Sequence, residues 1–319
     1  MKKSPRIVFY GTPEIAVASL QRLLEAGYAV KGVVTAPDRP AGRGQKIRFS
    51  AVKEFAIRHN LPLLQPPNLK DPGFLQSLQS MEPELQVVVA FRMLPKEVWA
   101  LPPLGTFNLH ASLLPQYRGA APINWVLING EKETGVTTFF IDETIDTGNI
   151  ILRRSIPVDP EETAGELHDR IMLTGAGLVI ETVESIVSGT AVPLEQSVVM
   201  DTGAGILKPA PGINKEDCRI NWTTGAVALF NFIRGLSPYP GAYTEITAAD
   251  GTSFNLKIIR ATPEIQSHEW IPGQVICDGR TYIKVAVPDG YMHLTELQPS
   301  GRSPMVLLDF LRGYGRHFI

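Results

Sequence analysis

Cysteine is scarce in this 319-residue chain: Cys218 and Cys277 are the only two, and they lie far apart. A disulfide framework is excluded, and no Cys-x-x-Cys or His-Glu-x-x-His spacing suggests a metal site. Both thiols are expected to be ordinary and reduced. No apolar run is long enough to span a bilayer. The start, Met1-Lys2-Lys3-Ser4-Pro5-Arg6, leads straight into a strand-like Ile-Val-Phe-Tyr, with no signal core or cleavage site. A cytoplasmic protein with no membrane partner is expected. Cationic excess is missing too. The formal net charge is −2, so any nucleic-acid contact has to come from a local patch. Gly11-Thr12-Pro13 is not Gly-x-Gly-x-x-Gly, and 41–46, AGRGQK, lacks the Gly-Lys-Ser/Thr ending of a Walker loop. A nicotinamide dehydrogenase is therefore disfavoured. There is no Gly-x-Ser-x-Gly elbow, and neither cysteine has histidine-rich surroundings, so no covalent nucleophile is indicated.

What is present reads as an α/β protein followed by a smaller β domain. Residues 6–10 (RIVFY) form a strand, Thr12 and Pro13 suit a helix start, and Ile15, Val17, Leu20, Leu23 and Leu24 recur at helical spacing. Residues 28–36 give the next strand, completing the unit of a parallel sheet. Residues 37–49 read as loop, 50–60 as a helix capped by Ser50, and 85–91 (LQVVVAF) as a strand covered on both faces. Strands follow at 105–111 and 134–141, and a long amphipathic helix at 162–189. Residues 198–220 read as irregular. Beyond a helix at 223–236, short strands alternate with turns marked by Asp250-Gly251, Asp278-Gly279 and Asp289-Gly290. The chain divides on this basis into a Rossmann-like, mostly parallel catalytic domain, 1–205, and a C-terminal domain, 206–319, that includes the linker.

The stretch 107–125, FNLHASLLPQYRGAAPINW, ends a buried strand with Asn108 and His110 two residues apart. That spacing puts both side chains on one face. Parallel sheets bind ligands beyond the carboxyl ends of their strands. Asp146, in the loop after the next core strand, is expected within reach of the pair if adjacent strand ends are parallel. A carboxylate beside an imidazole favours its charged form and fixes its orientation, and an amide N–H suits a developing oxyanion. The three groups fit acyl transfer to an amine. They also fit a satisfied structural histidine flanked by turn-forming Asn and Asp.

The run from Asn108 to Trp125 resembles the signature of the folate-dependent formyltransferases. With GTPEIAV (11–17), DRPAGRG (38–44), Asp146-Thr147-Gly148, KEDCRINW (215–222) and IRGLSPYPGAYT (233–244), the resemblance extends over nearly the whole chain, toward the members that act on methionyl-tRNA. It implies transfer of a formyl group from 10-formyltetrahydrofolate to the α-amine of initiator methionyl-tRNA, releasing tetrahydrofolate, by a monomer that needs no metal. Asn108, His110 and Asp146 match the catalytic trio. Ser112, Leu113, Leu114 and Pro115 match the folate-binding segment. The backbone of Phe91, Arg92 and Met93, with loop 141–145, is expected to hold the pterin. Arg39, Arg43, Lys46 and Arg48 lie in the insertion that meets the tRNA acceptor end, where cations neutralise phosphates. The C-terminal domain is expected to be an OB-like β-barrel that binds tRNA, with Lys208, Lys215 and Arg234 as candidate contacts. Ile15 stands where the family commonly has Phe, near the expected methionine pocket. A formyltransferase acting on a nucleotide amino-sugar, a formyl-folate hydrolase, and a non-catalytic folate- or RNA-binding protein are the competing possibilities.

Overall fold

A computed structural model of the chain describes residues 4–41, 46–201 and 206–319. The chain divides into two compact units. The first comprises Met1–Gly119, Thr134–Ile156 and His168–Pro209, and the second Ala120–Glu133, Pro157–Leu167 and Ala210–Ile319.

The first unit is built on a seven-stranded sheet. In chain order its strands and the helices between them are β1 (Arg6–Gly11), α1 (Glu14–Glu25), β2 (Ala29–Val34), the short pair β3 (Arg39–Ala41) and β4 (Lys46–Arg48), α2 (Ala51–Arg58), β5 (Leu63–Leu64), α3 (Pro72–Ser80), β6 (Leu85–Val89), α4 (Lys96–Trp99) and β7 (Thr106–His110). There follow β8 (Glu133–Phe140), β9 (Ile150–Pro157), α6 (Ala164–Ser188) and α7 (Gln196–Asp201), while α5 (Pro122–Ile128), between β7 and β8 in the chain, belongs to the second unit. The sheet order is β5-β2-β1-β6-β7-β8-β9. Strand β6 is buried along its whole length, including Gln86, whose side-chain oxygen accepts from the Thr106 hydroxyl at 3.0 Å. Ser50 caps α2 and Asp71 caps α3, each side chain accepting a backbone N–H of the first turn. Thr12 is not a cap: α1 starts one residue later than expected, with Pro13 at the N-cap position.

Three expectations are corrected in this unit. Strand β8 runs antiparallel to β7, with His110 opposite Thr137 and Phe107 opposite Phe140. Its end therefore lies level with the start of β7, and segment 141–149 must travel back to bring Asp146 to His110. The stretch 37–49 is not all loop, because β3 and β4 pair antiparallel with Arg39 opposite Arg48. Finally, α6 has the length and hydropathy of a membrane span. Its Ile171, Leu178, Val179 and Val183 are buried in the protein, while Leu173 is exposed, so one face of the helix packs on the core.

The chain leaves β1 for β2 and β5 on one side, then returns to β6 on the other. The loops after β1 and β6 diverge at this switch point, which opens a crevice beyond the strand ends. Loop 90–95 and the segment after His110 leave the sheet on that same side, because β1, β6 and β7 are mutually parallel.

The second unit carries α8 (Ala226–Leu236), strands β10 (Ala242–Thr247), β11 (Ser253–Ile265), β12 (Val275–Cys277), β13 (Ile283–Val287), β14 (Gly290–Pro299) and β15 (Met305–Val306), and α9 (Leu307–Tyr314). The strands form one antiparallel sheet, β10-β11-β14-β13-β12, with β15 added to β14. Register shifts between Ile258 and Ala261 curl the long β11–β14 pair, giving an OB-like half-barrel over a core that includes Leu229, Ile258, Val285 and Phe310. Gly251 and Gly279 adopt the left-handed φ that their Asp-Gly turns require. Asp289 accepts the Ala226 N–H at 2.7 Å and so caps α8 from a distant hairpin.

Candidate active site

Asn108 and His110 share a face of β7, at the exit of the strand. His110 is buried, and its Nε2 lies 2.8 Å from the Tyr117 carbonyl oxygen. A carbonyl only accepts, so Nε2 carries a proton and donates. Nδ1 points instead to Asp146, whose Oδ2 lies 3.8 Å away. That exceeds hydrogen-bond length, so the pair is held in register rather than locked. The same Oδ2 accepts the Gly119 backbone N–H at 3.0 Å. Asn108 is partly buried, and its side-chain amide has no hydrogen-bond partner among the described residues.

The local backbone explains how these groups meet. Tyr117 (φ 58°) and Asp146 (φ 57°) are both left-handed, a conformation that costs a non-glycine residue free energy and persists only where the surroundings fix it. Within the loop, Asp142 accepts from the Thr144 N–H and the Thr147 hydroxyl. Gly148 lies directly against β8, where a Cβ would collide with the Phe140 carbonyl oxygen. The Asp146-Thr147-Gly148 sequence thus has a steric reason as well as a chemical one.

The Ser112–Pro115 segment is a braced turn rather than a set of free donors. Ser112, Leu114 and Pro115 are buried, and Leu113 packs over Gly135. The Ser112 hydroxyl donates to the Gln116 carbonyl at 2.6 Å. Thr137 Oγ1 donates to the Ser112 carbonyl at 2.7 Å and accepts the Leu114 N–H at 3.1 Å. The Leu114–Pro115 peptide is cis. These side chains shape the wall beside His110 and offer few polar atoms of their own.

Past β6, Ala90 is also left-handed (φ 48°), and it turns the chain into Phe91-Arg92-Met93. Phe91 packs on Tyr10, with ring centres 5.7 Å apart. The Arg92 guanidinium donates to the Pro66 and Pro67 carbonyls. Partial burial lowers its pKa first, and the like charge of Arg39 adds to that effect, which places the β3 arginine near this loop. Met93 is 63% exposed. Ile15 lies partly buried in the first turn of α1. Arg39 and Arg48 are both exposed. Arg43 and the Lys46 side chain lie outside the described residues. Among those residues, no three His, Cys, Asp or Glu side chains gather as a metal site would need.

Two participants carried no sequence signal. Gln196, between the helix read at 162–189 and the irregular stretch read at 198–220, donates to the carbonyls of Asp146 (2.9 Å) and Gly148 (3.0 Å). Arg118, inside the quoted signature, donates to Gln196 Oε1 at 2.6 Å. One candidate is displaced from its expected role. Arg234 is buried, and it donates to the carbonyls of Asp159 and Glu162 and to Asn231. Its place is in the second unit's interior, not on a nucleic-acid surface.

Known proteins bear on this arrangement. The formyl transferase family model matches residues 5–183, and the model for the formyl transferase C-terminal domain matches 212–315. The chain is 49% identical over 313 residues to the methionyl-tRNA formyltransferase of Bacteroides thetaiotaomicron, covering 98% of this chain and 97% of that one. It is 52% identical to the enzyme of that name from Azobacteroides pseudotrichonymphae, covering 97% and 95%. Among solved structures it shares its fold with HypX from Aquifex aeolicus in complex with tetrahydrofolic acid (TM-score 0.65, 18% identity, 98% of this chain and 48% of that one). It also shares it with the sugar 3N-formyl transferase WlaRD (TM-score 0.62, 21% identity, 94% and 100%). The chain belongs to the formyl transferase family, alongside the methionyl-tRNA formyltransferases that it matches over nearly its whole length.

Proposed function

We propose that this protein transfers the formyl group of 10-formyltetrahydrofolate to the α-amine of initiator methionyl-tRNA, giving N-formylmethionyl-tRNA and tetrahydrofolate in the cytoplasm. The observation that carries this is the unpartnered amide of Asn108 on the same strand face as His110, whose free nitrogen is aimed at Asp146. An oxyanion donor, an orientable imidazole and a carboxylate in one crevice suit acyl transfer between two nitrogens.

The folate supplies a formyl group held as an amide. Its pterin fits between the Phe91–Met93 turn and loop 141–145, and the Ser112–Pro115 turn walls the reacting end. The substrate amine attacks the formyl carbon, and the carbon–nitrogen bond to the folate breaks. Asn108 donates to the carbonyl oxygen as it gains charge. His110 has Nε2 fixed on Tyr117, so its Nδ1 is the nitrogen left for the reaction. Asp146 accepts from that nitrogen when the imidazole is protonated, and it takes the proton that the attacking amine loses, which ends on the departing folate nitrogen. Arg39, Arg43, Lys46 and Arg48 neutralise phosphates at the tRNA acceptor end, and the half-barrel unit supplies a second RNA surface. The enzyme acts as a monomer.

The test offers initiator methionyl-tRNA, a nucleotide amino-sugar and water as parallel acceptors for the same donor. Formylmethionyl-tRNA is the expected main product. Formate release or a formylated sugar as the main product would sink the assignment of tRNA as substrate.

A further inference from the structure

We propose that Gln196 is a positioning residue for formyl transfer, whose amide clamps the loop that carries Asp146 onto the turn that carries the Tyr117 carbonyl. The inference rests on the function proposed above and adds a residue outside the signature segments.

The amide is fully used, and each bond has a purpose. Nε2 donates to the carbonyls of Asp146 (2.9 Å) and Gly148 (3.0 Å), one on each side of Thr147. Oε1 accepts from Arg118 Nε (3.1 Å) and Nη2 (2.6 Å). Arg118 stands between Tyr117, whose carbonyl holds His110 Nε2, and Gly119, whose N–H holds Asp146 Oδ2. One side chain therefore ties together the two backbone segments that set the His110–Asp146 spacing of 3.8 Å. Asp146 has left-handed φ, so its loop needs outside support, and the two carbonyls flanking Thr147 receive it from Gln196. Gln196 is itself firmly seated. It is 3% exposed, Leu194 exchanges 2.8 Å backbone hydrogen bonds with Ile150, and Val199 packs with Leu114, Phe139 and Ile150. A buried amide with four good contacts is also conformationally specific. Only Gln both donates to the carbonyls and accepts from the arginine at this reach.

The experiment is a double-mutant cycle on the full-length protein, read by single-turnover formyl transfer, KM for 10-formyltetrahydrofolate and thermal melting. Gln196→Leu removes both sets of bonds. Gln196→Glu keeps an acceptor for Arg118 but sets a carboxylate oxygen against two carbonyls, so it carries the test if the Leu variant fails to fold. Each is expected to lower the transfer rate about 100-fold while the folate KM changes little, the cost of misplacing a reacting group by about 1 Å. In an Asp146→Asn background the same substitutions are expected to cost almost nothing further, because the group they position is already gone. An equal loss in both backgrounds, or full activity in folded Gln196 variants, overturns the proposal. Full activity of Asp146→Asn alone would instead overturn the assignment of Asp146.

Discussion

His110 Nε2 donates to the backbone carbonyl of Tyr117 at 2.8 Å, and this single contact decides which imidazole nitrogen is available for chemistry. The neutral ring must be the Nε2–H tautomer, with Nδ1 bare and turned toward Asp146. The expected result in nitrogen-15 NMR is that the neutral imidazole carries its proton on Nε2. A neutral form protonated at Nδ1 would contradict the orientation described.

Asn108 is the counterpart on the same strand face. Replacing Asn108 with Ala deletes a donor that strengthens only as charge develops, so kcat is expected to fall about 10²–10³-fold. Affinity for the folate substrate, measured by equilibrium binding, is expected to change far less. A variant that loses binding and rate in equal measure would make Asn108 a substrate-holding residue instead.

Arg39 stands opposite Arg48 across the β3–β4 ladder, both exposed. Like charges facing each other on a ladder are unfavourable, and a bound polyanion turns the penalty into attraction. Arg48→Ala is expected to raise KM for methionyl-tRNA and to reduce the salt slope of tRNA binding by about 1, while folate binding is unchanged. An unchanged salt slope would leave the hairpin without a role in tRNA binding.

Much of the architecture was legible because it follows from periodicity. The apolar run 85–91, the strand ending at His110 and the helix capped by Ser50 each appear where their patterns put them. Strand direction was not legible: nothing in the alternation of 134–141 says that β8 runs against β7. Asp146 therefore arrives by a returning loop, which depends on Gly148 lying against a backbone carbonyl. Gln196 was invisible for a related reason. Its partners are two carbonyls and an arginine that are distant in the chain, and no side-chain pattern records such bonds.

In the second unit, Asp250 accepts the Thr252 N–H at 2.9 Å and pairs with His317 at 2.7 Å. The backbone bond first, then His317, holds its carboxyl at about 2, below its usual 3.8. A carboxyl depressed by folding stabilises the protein above its unfolded value and loses that contribution as pH falls through its folded value. Asp250→Asn is expected to melt at lower temperature than the parent at neutral pH, with the gap closing between about pH 4 and pH 2. A gap that persists at pH 2 would assign the effect to packing rather than charge.

Arg234 separates a structural cation from an RNA-binding one. Its guanidinium donates to the carbonyls of Asp159 and Glu162 at 3.1 and 3.2 Å and lies over the Phe230 ring at 5.4 Å. Burial holds its pKa below the usual arginine range, with Glu162 and Asp159 opposing that shift. Arg234→Met keeps the apolar stem but removes the guanidinium bonds to both carbonyls, at a cost of about 2 kcal/mol in denaturant unfolding. The salt slope of tRNA binding, compared under conditions where the variant is fully folded, is expected to match the parent. A slope reduced by about 1 with stability unchanged would instead return Arg234 to the RNA surface.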